Sequence, residues 1–279
     1  MELDEFIKLS LEEDGATCDH TSLACIDEHV TGSAELLIKE DGIIAGVEAA
    51  GYIFNFLNKE FIIENFVADG QHVKSGGMAF LVRGAMIDIL KAERLVLNVM
   101  QRMSGIATET SKFVEQLQDV RTKILDTRKT TPLFREFEKW AVRIGGGENH
   151  RMGLNDMILI KDNHVDVAGG IEKAILKVQK YLVQTGKKIK VEIETRNLAE
   201  VKEVLKIGFV DRIMLDNFAI PELTEAVKII NRQFETEASG GITLKNIRSY
   251  AEAGVDFISV GSLTHSYKSL DLSLKVKKD

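Results

Sequence analysis

Basic side chains follow two predicted strands at the points where those strands end. Arg128 and Lys129 come after one apolar run, and Lys161 comes after the next. A guanidinium group matches carboxylate or phosphate oxygens in a bidentate way, and an ammonium group adds a point charge. Residues 121–161 hold nine Lys and Arg against five Asp and Glu, a net charge of +4, whereas the rest of the chain carries −11. This concentration predicts a substrate with several negative groups; a solvated face with scattered ion pairs is the alternative.

A glycine run and two more basic residues lie between those strand ends. Gly145-Gly146-Gly147 allows a tight loop with the backbone close to a ligand. His150 and Arg151 follow shortly after and are candidates for the same anionic site. A plain flexible loop and an ordinary histidine are the alternative interpretation.

Two acids alternate with apolar residues in a later strand. Glu192 and Glu194 point to the same face of that strand because side chains alternate between its two faces. Glu194 is nearer the carboxyl end, and Asp216 ends the next strand. Together they could engage sugar hydroxyls or a hard cation such as Mg²⁺. Structural ion pairing is the alternative role.

Glycine and serine follow the last two predicted strands. The first group is Ser239, Gly240 and Gly241, and the second is Gly261 and Ser262. Each group can direct backbone N–H groups and a helix N-terminus toward one point. Barrels of alternating strands and helices frequently bind phosphate with their last two loops, so we predict a phosphate site here.

Regular spacing of apolar runs indicates the architecture that must hold these residues. Four runs start 21, 23 and 22 residues apart and alternate with helical stripes, at Val191–Ile193, Arg212–Leu215, Glu235–Ala238 and Phe257–Val260. Earlier runs at Lys123–Leu125 and Met157–Ile160 extend the series. A strand followed by a helix at this period is typical of a parallel sheet. Since a full eight-unit barrel needs roughly 250 residues, we expect an open, incomplete (β/α) barrel.

The first part of the chain has a different pattern of predicted secondary structure. Strands are predicted at 34–39 and 43–47, joined by a hairpin turn at Asp41-Gly42, and at 61–67 and 78–82. A helical pattern then runs from Ala85 to about Leu117. We expect Ser104-Gly105 to break it, because glycine costs about 1 kcal/mol in a helix interior.

Composition limits the possible classes of function. The 279 residues carry a net charge of −7 and are 44% hydrophobic, which is ordinary for a globular protein and argues against a non-specific nucleic-acid binder. Cys18 and Cys25 fit neither a redox nor a common zinc spacing, so reduced thiols in a cytoplasmic protein are expected. The N-terminus has no secretory pattern, and no run of 18 apolar residues predicts a membrane span.

Several motifs together resemble the quinolinate phosphoribosyltransferase family, and the likeness extends from about residue 40 to residue 265. The densest are DTRKTTP at 126–132, EKWAV at 138–142, GGG at 145–147, HRMGL at 150–154 and LIKDNH at 159–164. Others are ER at 93–94, SGIAT at 104–108, LDNF at 215–218, EASGG at 237–241 and VGSLTH at 260–265.

The resemblance implies a reaction and an architecture. Quinolinate attacks C1 of phosphoribosyl pyrophosphate with Mg²⁺ present, and pyrophosphate, CO₂ and nicotinate mononucleotide, a precursor of NAD, are formed. The implied fold is α/β, with an N-terminal α/β sandwich domain plus an open, incomplete (β/α) barrel. We place the first domain at 1–112, with the tail 266–279 packing back on it, and the barrel with the active site at 113–265. The resemblance also implies a homodimer or hexamer.

The resemblance implies roles for individual residues as well. The dicarboxylate pocket falls on Arg128, Lys129, His150, Arg151 and Lys161, and Arg94 is the arginine donated across the subunit interface. Glu194 and Asp216 fall near the ribose and the metal, and the 5′-phosphate loops fall on Ser239, Gly240, Gly241, Gly261 and Ser262. Lys129, Lys161, Glu194 and Asp216 are the catalytic candidates.

One departure from the family pattern leaves alternatives open. The family has glycine where this chain has Leu133. Because leucine should exclude an easy positive φ there, we expect a loop of different shape after Lys129. This favours a related phosphoribosyltransferase for another anion, as in the homologues linked to molybdate transport genes, as one alternative. A non-catalytic phosphosugar- or nucleotide-binding protein and a Schiff-base barrel using Lys161 are the others.

Overall fold

The computed structural model describes residues 3–277, so residues 1, 2, 278 and 279 of the predicted terminal segments lie outside it. Contacts divide the described chain into two compact units. The first holds the described residues of Met1–Ser111, Thr130–Gly146 and Leu263–Asp279, and the second holds Lys112–Lys129 and Gly147–Ser262. The first unit is therefore discontinuous in sequence.

The described residues form twelve strands and eleven α-helices. Strands β1 to β12 are Thr31–Ile38, Gly42–Ile43, Ile62–Asn65, His72–Val73, Met78–Ala85, Lys123–Leu125, Met157–Ile160, Lys190–Thr195, Arg212–Asp216, Glu235–Ser239, Phe257–Ser259 and Leu272–Val276. Helices α1 to α11 are Leu3–Glu13, His20–Cys25, Val47–Leu57, Met86–Glu115, Arg135–Ile144, Asp162–Ala168, Ile171–Thr185, Leu198–Ile207, Ile220–Ile230, Ile247–Glu252 and Ser262–His265. A 3₁₀ turn spans Ala16–Cys18.

An antiparallel sheet with strand order β12-β1-β5-β3 organises the first unit. Alternate residues Ala34, Leu36 and Ile38 of β1 are buried, which is the period-2 pattern of a strand with one face on a core. Helix α3 contributes Phe54, whose ring packs edge-on against those of Phe61 and Phe80. The C-terminal strand β12 pairs with β1, so residues 272–276 belong to this sheet.

Two local predictions for the first unit are wrong. The predicted hairpin does not form, because β2 pairs with β4 rather than with β1, and Val47 begins helix α3. Helix α4 runs through Ser104-Gly105 without a break. A Cβ at Gly105 would lie only 3.0 Å from the carbonyl carbon of Lys268, so this glycine permits close backbone packing.

Residues 130–146 belong to the first unit because helix α5 has an apolar face there. The rings of Phe134 and Phe137 lie 5.8 and 4.8 Å from that of Phe6. Buried Glu138 accepts hydrogen bonds from the Thr131 amide and from the Arg102 guanidinium. The grouping thus differs from the linear boundary at residue 112 that the sequence suggests.

A parallel sheet organises the second unit, with strand order β6-β11-β10-β9-β8-β7. All six strands lie at the predicted places, so the expected series of strand–helix repeats is confirmed. Helix α8 illustrates the local rules: Asn197 caps its first turn, and Val201 and Val204 face the core. Strands β6 and β7 are the two edges of this open sheet. The predicted fold class, α/β with an open parallel-sheet domain, is confirmed.

Candidate active site

The carboxyl ends of the parallel strands bring the predicted residues together at one edge of the sheet. Every site residue predicted from the sequence except Arg94 lies in the second unit. Most lie at or after the end of a strand, whereas His150 and Arg151 lie in the loop between α5 and β7. Arg94 is an exposed residue of α4 in the first unit. Strand topology therefore explains why residues far apart in sequence lie on neighbouring loops.

Arg128 and Arg151 form a pair of cationic side chains in partly buried surroundings. Burial lowers the pKa of Arg151, and the positive charge of Arg128 lowers it further. The Nε atom of Arg128 is buried and makes no hydrogen bond within residues 3–277. Arg151 donates one Nη to the carbonyl of Met157 at 3.2 Å. Two neighbouring guanidinium groups, one with an unused buried donor, are suited to bind an anion. Lys129 is exposed on the same loop, and its amide donates to the Thr127 hydroxyl.

His150 lies in a buried ionic cluster rather than at the surface. Its Nε2 atom is 2.9 Å from Glu192 Oε2 and 3.5 Å from Glu237 Oε2. Arg212 places its guanidinium 2.8 Å from that same Glu237 oxygen. Burial raises the pKa of both glutamates, and for Glu237 the charge of Glu192 raises it further. The role of His150 in substrate binding stays a prediction.

Among the described residues, His150, Glu192 and Glu237 have potential metal-ligand atoms that lie within 4.8 Å of one another. The Arg151 amide donates to His150 Nδ1 at 2.7 Å, so Nδ1 is unprotonated and the ring proton is on Nε2. A neutral imidazole in this tautomer has no lone pair at Nε2 for a metal. The neighbouring Arg212 charge also disfavours a cation here.

Glu194, Asp216 and Lys161 form the second polar group of the site. Burial raises the pKa of Glu194, the charge of Asp216 raises it further, and the Lys161 ammonium acts in the opposite direction. Lys161 is exposed at the start of α6, where its amide donates to His164 Nδ1 at 2.9 Å. Two carboxylates and an ammonium group close enough to shift one pKa can bind hydroxyls and charged oxygens.

The loops predicted to bind phosphate have distinctive backbone conformations. Gly240 and Gly241 have φ angles of +95° and +60°. A Cβ at Gly240 would lie 2.5 Å from Asn217 Cγ, whereas one at Gly241 would meet nothing within 4 Å. Asn217 donates its side-chain amide to Asp216 Oδ2 at 2.6 Å. Gly261 and Ser262 are partly buried at the end of the neighbouring strand β11.

The glycine run does not form an isolated loop. Gly145 ends α5, and a Cβ there would lie 2.5 Å from the carbonyl oxygen of Ala107 on α4. Leu133 adopts φ +64°, so it retains the left-handed backbone conformation that glycine would offer. The expectation that leucine would exclude this conformation is therefore wrong.

Sequence reasoning missed three charged residues that organise the site, Asp126, Arg212 and Glu237. Each lies within or directly after an apolar strand run and is buried. The alternation that placed Glu192 and Glu194 on one face also applies to these positions. The available signal was a charged residue next to one buried apolar residue, which is Leu125, Ile213 or Ala238.

Two family models together match most of the chain. The model for the quinolinate phosphoribosyl transferase N-terminal domain matches residues 19–104, and that for the C-terminal domain matches residues 106–275. A curated relative is quinolinate phosphoribosyltransferase [decarboxylating] 2b, mitochondrial, of Nicotiana tabacum, 47% identical over 99% of this chain and 82% of its own length.

Solved structures agree with this similarity. NadC from Streptococcus pyogenes has a TM-score of 0.91 and 38% identity over 99% of this chain and 97% of its own. The nicotinate-nucleotide pyrophosphorylase from Francisella tularensis has a TM-score of 0.90 and 40% identity over 99% and 96% of the two chains. None of the described helices combines the length and apolar character needed to cross a membrane.

Proposed function

Because this chain belongs to the quinolinate phosphoribosyltransferase family, we propose that it transfers a phosphoribosyl group to quinolinate with decarboxylation. The quinolinate ring nitrogen attacks C1 of phosphoribosyl pyrophosphate, and pyrophosphate leaves. Loss of CO₂ from the 2-carboxylate then gives nicotinate mononucleotide, a precursor of NAD.

The paired guanidinium groups of Arg128 and Arg151 carry this proposal. A ligand with two carboxylates that binds between them would neutralise their mutual repulsion. It would also accept a hydrogen bond from the unused Arg128 Nε donor. Lys129 and Lys161 supply further positive charge for the substrate. Neutralising an anionic nucleophile and an anionic donor lets the ring nitrogen approach C1, so catalysis rests mainly on positioning and electrostatics.

Glu194 and Asp216 are assigned to the ribose. As the leaving group departs, positive charge develops at the ribose ring, and carboxylates nearby stabilise it. Their oxygen donors also fit Mg²⁺, which proteins bind through one or two carboxylates together with substrate phosphates. When bound, Mg²⁺ would neutralise charge on the pyrophosphate.

The 5′-phosphate is assigned to Ser239, Gly240, Gly241, Gly261 and Ser262. The two glycines of the first loop have positive φ angles, as residues of anion-binding backbone loops often do, which supports this assignment. Decarboxylation needs an electron sink, and the quaternised pyridinium ring provides one. Lys129 and Lys161 are assigned to the 2-carboxylate during that step.

The remaining parts of the proposal concern the assembly and its location. We propose a homodimer or hexamer in which Arg94, exposed on α4, reaches the dicarboxylate pocket of a neighbouring subunit. We also propose a cytoplasmic location.

The test is to follow pyrophosphate and nicotinate mononucleotide formation from quinolinate, phosphoribosyl pyrophosphate and Mg²⁺. Nicotinate, which lacks the 2-carboxylate, is the control acid. Turnover with quinolinate alone is expected. Folded protein that binds phosphoribosyl pyrophosphate but turns over only a different acid would overturn the substrate assignment.

A further inference from the structure

Asp126 is a buried carboxylate between the two segments that carry the paired arginines. Its Oδ1 accepts the His150 amide at 2.9 Å, and its Oδ2 accepts the Asn149 side-chain amide at 2.5 Å. The residue is fully buried. Arg128 follows it by two positions, and Arg151 follows His150 by one.

Backbone bonds bring the two segments side by side before this carboxylate acts. The Glu148 amide donates to the carbonyl of Ile124 at 2.8 Å, and the Asp126 amide donates to the carbonyl of Glu148 at 3.2 Å. Beyond Glu148 this backbone pairing ends. From there the described hydrogen bonds between the two segments are made by the Asp126 side chain. The described contact between the two segments that lies nearest the arginines in sequence is therefore made by a carboxylate.

The repulsion between Arg128 and Arg151 requires a contact that holds their two segments together. Arg128 and Arg151 repel each other when no anion is bound, and this repulsion contributes to the lowered pKa of Arg151. A mobile pair of cations would move apart and lose the separation that matches a dicarboxylate. A buried negative charge that accepts hydrogen bonds from the opposite segment holds the pair at a fixed spacing.

We propose that Asp126 is a positioning residue that holds the Arg128 and Arg151 segments in register for dicarboxylate binding. The inference rests on the proposed function for the identity of the dicarboxylate. It does not involve Glu194, Asp216 or the phosphate loops. Its loss should consequently weaken quinolinate binding while leaving the binding of phosphoribosyl pyrophosphate unchanged.

The key variant is Asp126→Asn, with Asp256→Asn as its matched control. Asparagine keeps an acceptor for the His150 amide but turns an N–H group toward the Asn149 amide, and the negative charge is lost. Asp256 also ties two segments together, since its Oδ2 accepts the amide and the hydroxyl of Thr236 at 2.9 and 2.8 Å. It precedes β11, at the end of the strand away from the site.

Quinolinate and phosphoribosyl pyrophosphate binding are measured separately by calorimetry, together with KM for each substrate and urea unfolding. Asp126→Asn should raise the quinolinate Kd and KM on the order of tenfold or more and change the phosphoribosyl pyrophosphate values less than about twofold. Asp256→Asn should lower stability without this selectivity. The exchange D126N/N149D restores a donor opposite an acceptor and should recover much of the quinolinate affinity.

Three results would overturn the proposal. They are equally weakened binding of both substrates in Asp126→Asn, selectively weakened quinolinate binding in Asp256→Asn, or no recovery of quinolinate affinity in the exchange variant. If Asp126→Asn fails to fold, Asn149→Ala serves instead, because it removes only one of the two hydrogen bonds that Asp126 accepts. It should still weaken quinolinate binding selectively. Calorimetry makes the two proposals separable. Wild-type protein that binds quinolinate without turning it over refutes the proposed function alone, whereas unchanged quinolinate affinity in the folded variants refutes the role of Asp126 alone.

Discussion

Gly240→Ala should damage the phosphate loop far more than Gly241→Ala, although both glycines have positive φ. Either alanine enters a left-handed conformation that costs roughly 1–2 kcal/mol, partly offset by about 0.4–1 kcal/mol of lost unfolded-state entropy. Only at Gly240 does the new Cβ overlap a neighbour, because it would lie 2.5 Å from Asn217 Cγ and 3.0 Å from Asn217 N. Overpacking of this kind adds about 1–3 kcal/mol.

The neighbour cannot move away without disturbing the site. Asn217 donates its backbone amide to the carbonyl of Ser239 at 2.8 Å and its side-chain amide to Asp216 Oδ2. We therefore expect a loss of about 2–4 kcal/mol in the free energy of unfolding for Gly240→Ala and about 1 kcal/mol for Gly241→Ala. Because Asp216 and the loop shift together, the phosphoribosyl pyrophosphate KM of Gly240→Ala should also rise.

Urea unfolding and steady-state kinetics on the two variants test this reasoning. Asn217→Gly added to Gly240→Ala removes the overlapping side chain while tolerating the positive φ, so it should recover about 1–2 kcal/mol of stability. Equal destabilisation by the two alanine variants, or no recovery in the double variant, would refute the steric argument.

Three further predictions follow from particular contacts. Leu133→Gly relieves φ +64° at a side chain that is 71% exposed, so its free energy of unfolding should equal that of wild type or rise. Leu154→Gly, exposed and without positive φ, should lose about 0.5–1 kcal/mol in urea unfolding, and an equal loss in both variants would contradict the argument. Lys161→Ala should lower kcat/KM for quinolinate at least about 100-fold with an unchanged circular dichroism spectrum; mixing it with Arg94→Ala should recover activity through hybrid subunits, and verified exchange without recovery would argue against a shared site. The Glu237 carboxyl has its pKa raised from 4.5 to about 7, so between these values the unfolded state releases its proton first and stability falls as pH rises. Glu237→Gln should remove up to about 1.4 kcal/mol per pH unit of that slope, and an unchanged slope in urea unfolding would contradict the assignment.

Periodicity predicts the second unit well because its rules are local. Each run from Lys123–Leu125 to Phe257–Val260 forms a parallel strand, since short strands and helices with one apolar face alternate at a regular spacing along the chain. The first unit is harder to predict because its pairing is not local. Asp41-Gly42 has the composition of a hairpin turn, yet β1 pairs with β5 and with the distant strand β12.

Residue types and their spacing were sufficient to predict the strand–helix repeats, the clustering of basic residues at strand ends, and the family to which the chain belongs. Each of these depends on residue type and spacing along the chain, which the sequence contains directly. The folded chain was needed to show that Gly105 continues a helix, that His150 is buried beside Glu192 and Glu237, and that Asp126 joins the two arginine segments. Those outcomes depend on which backbone or charge lies opposite a residue after folding, and residues distant in sequence supply it.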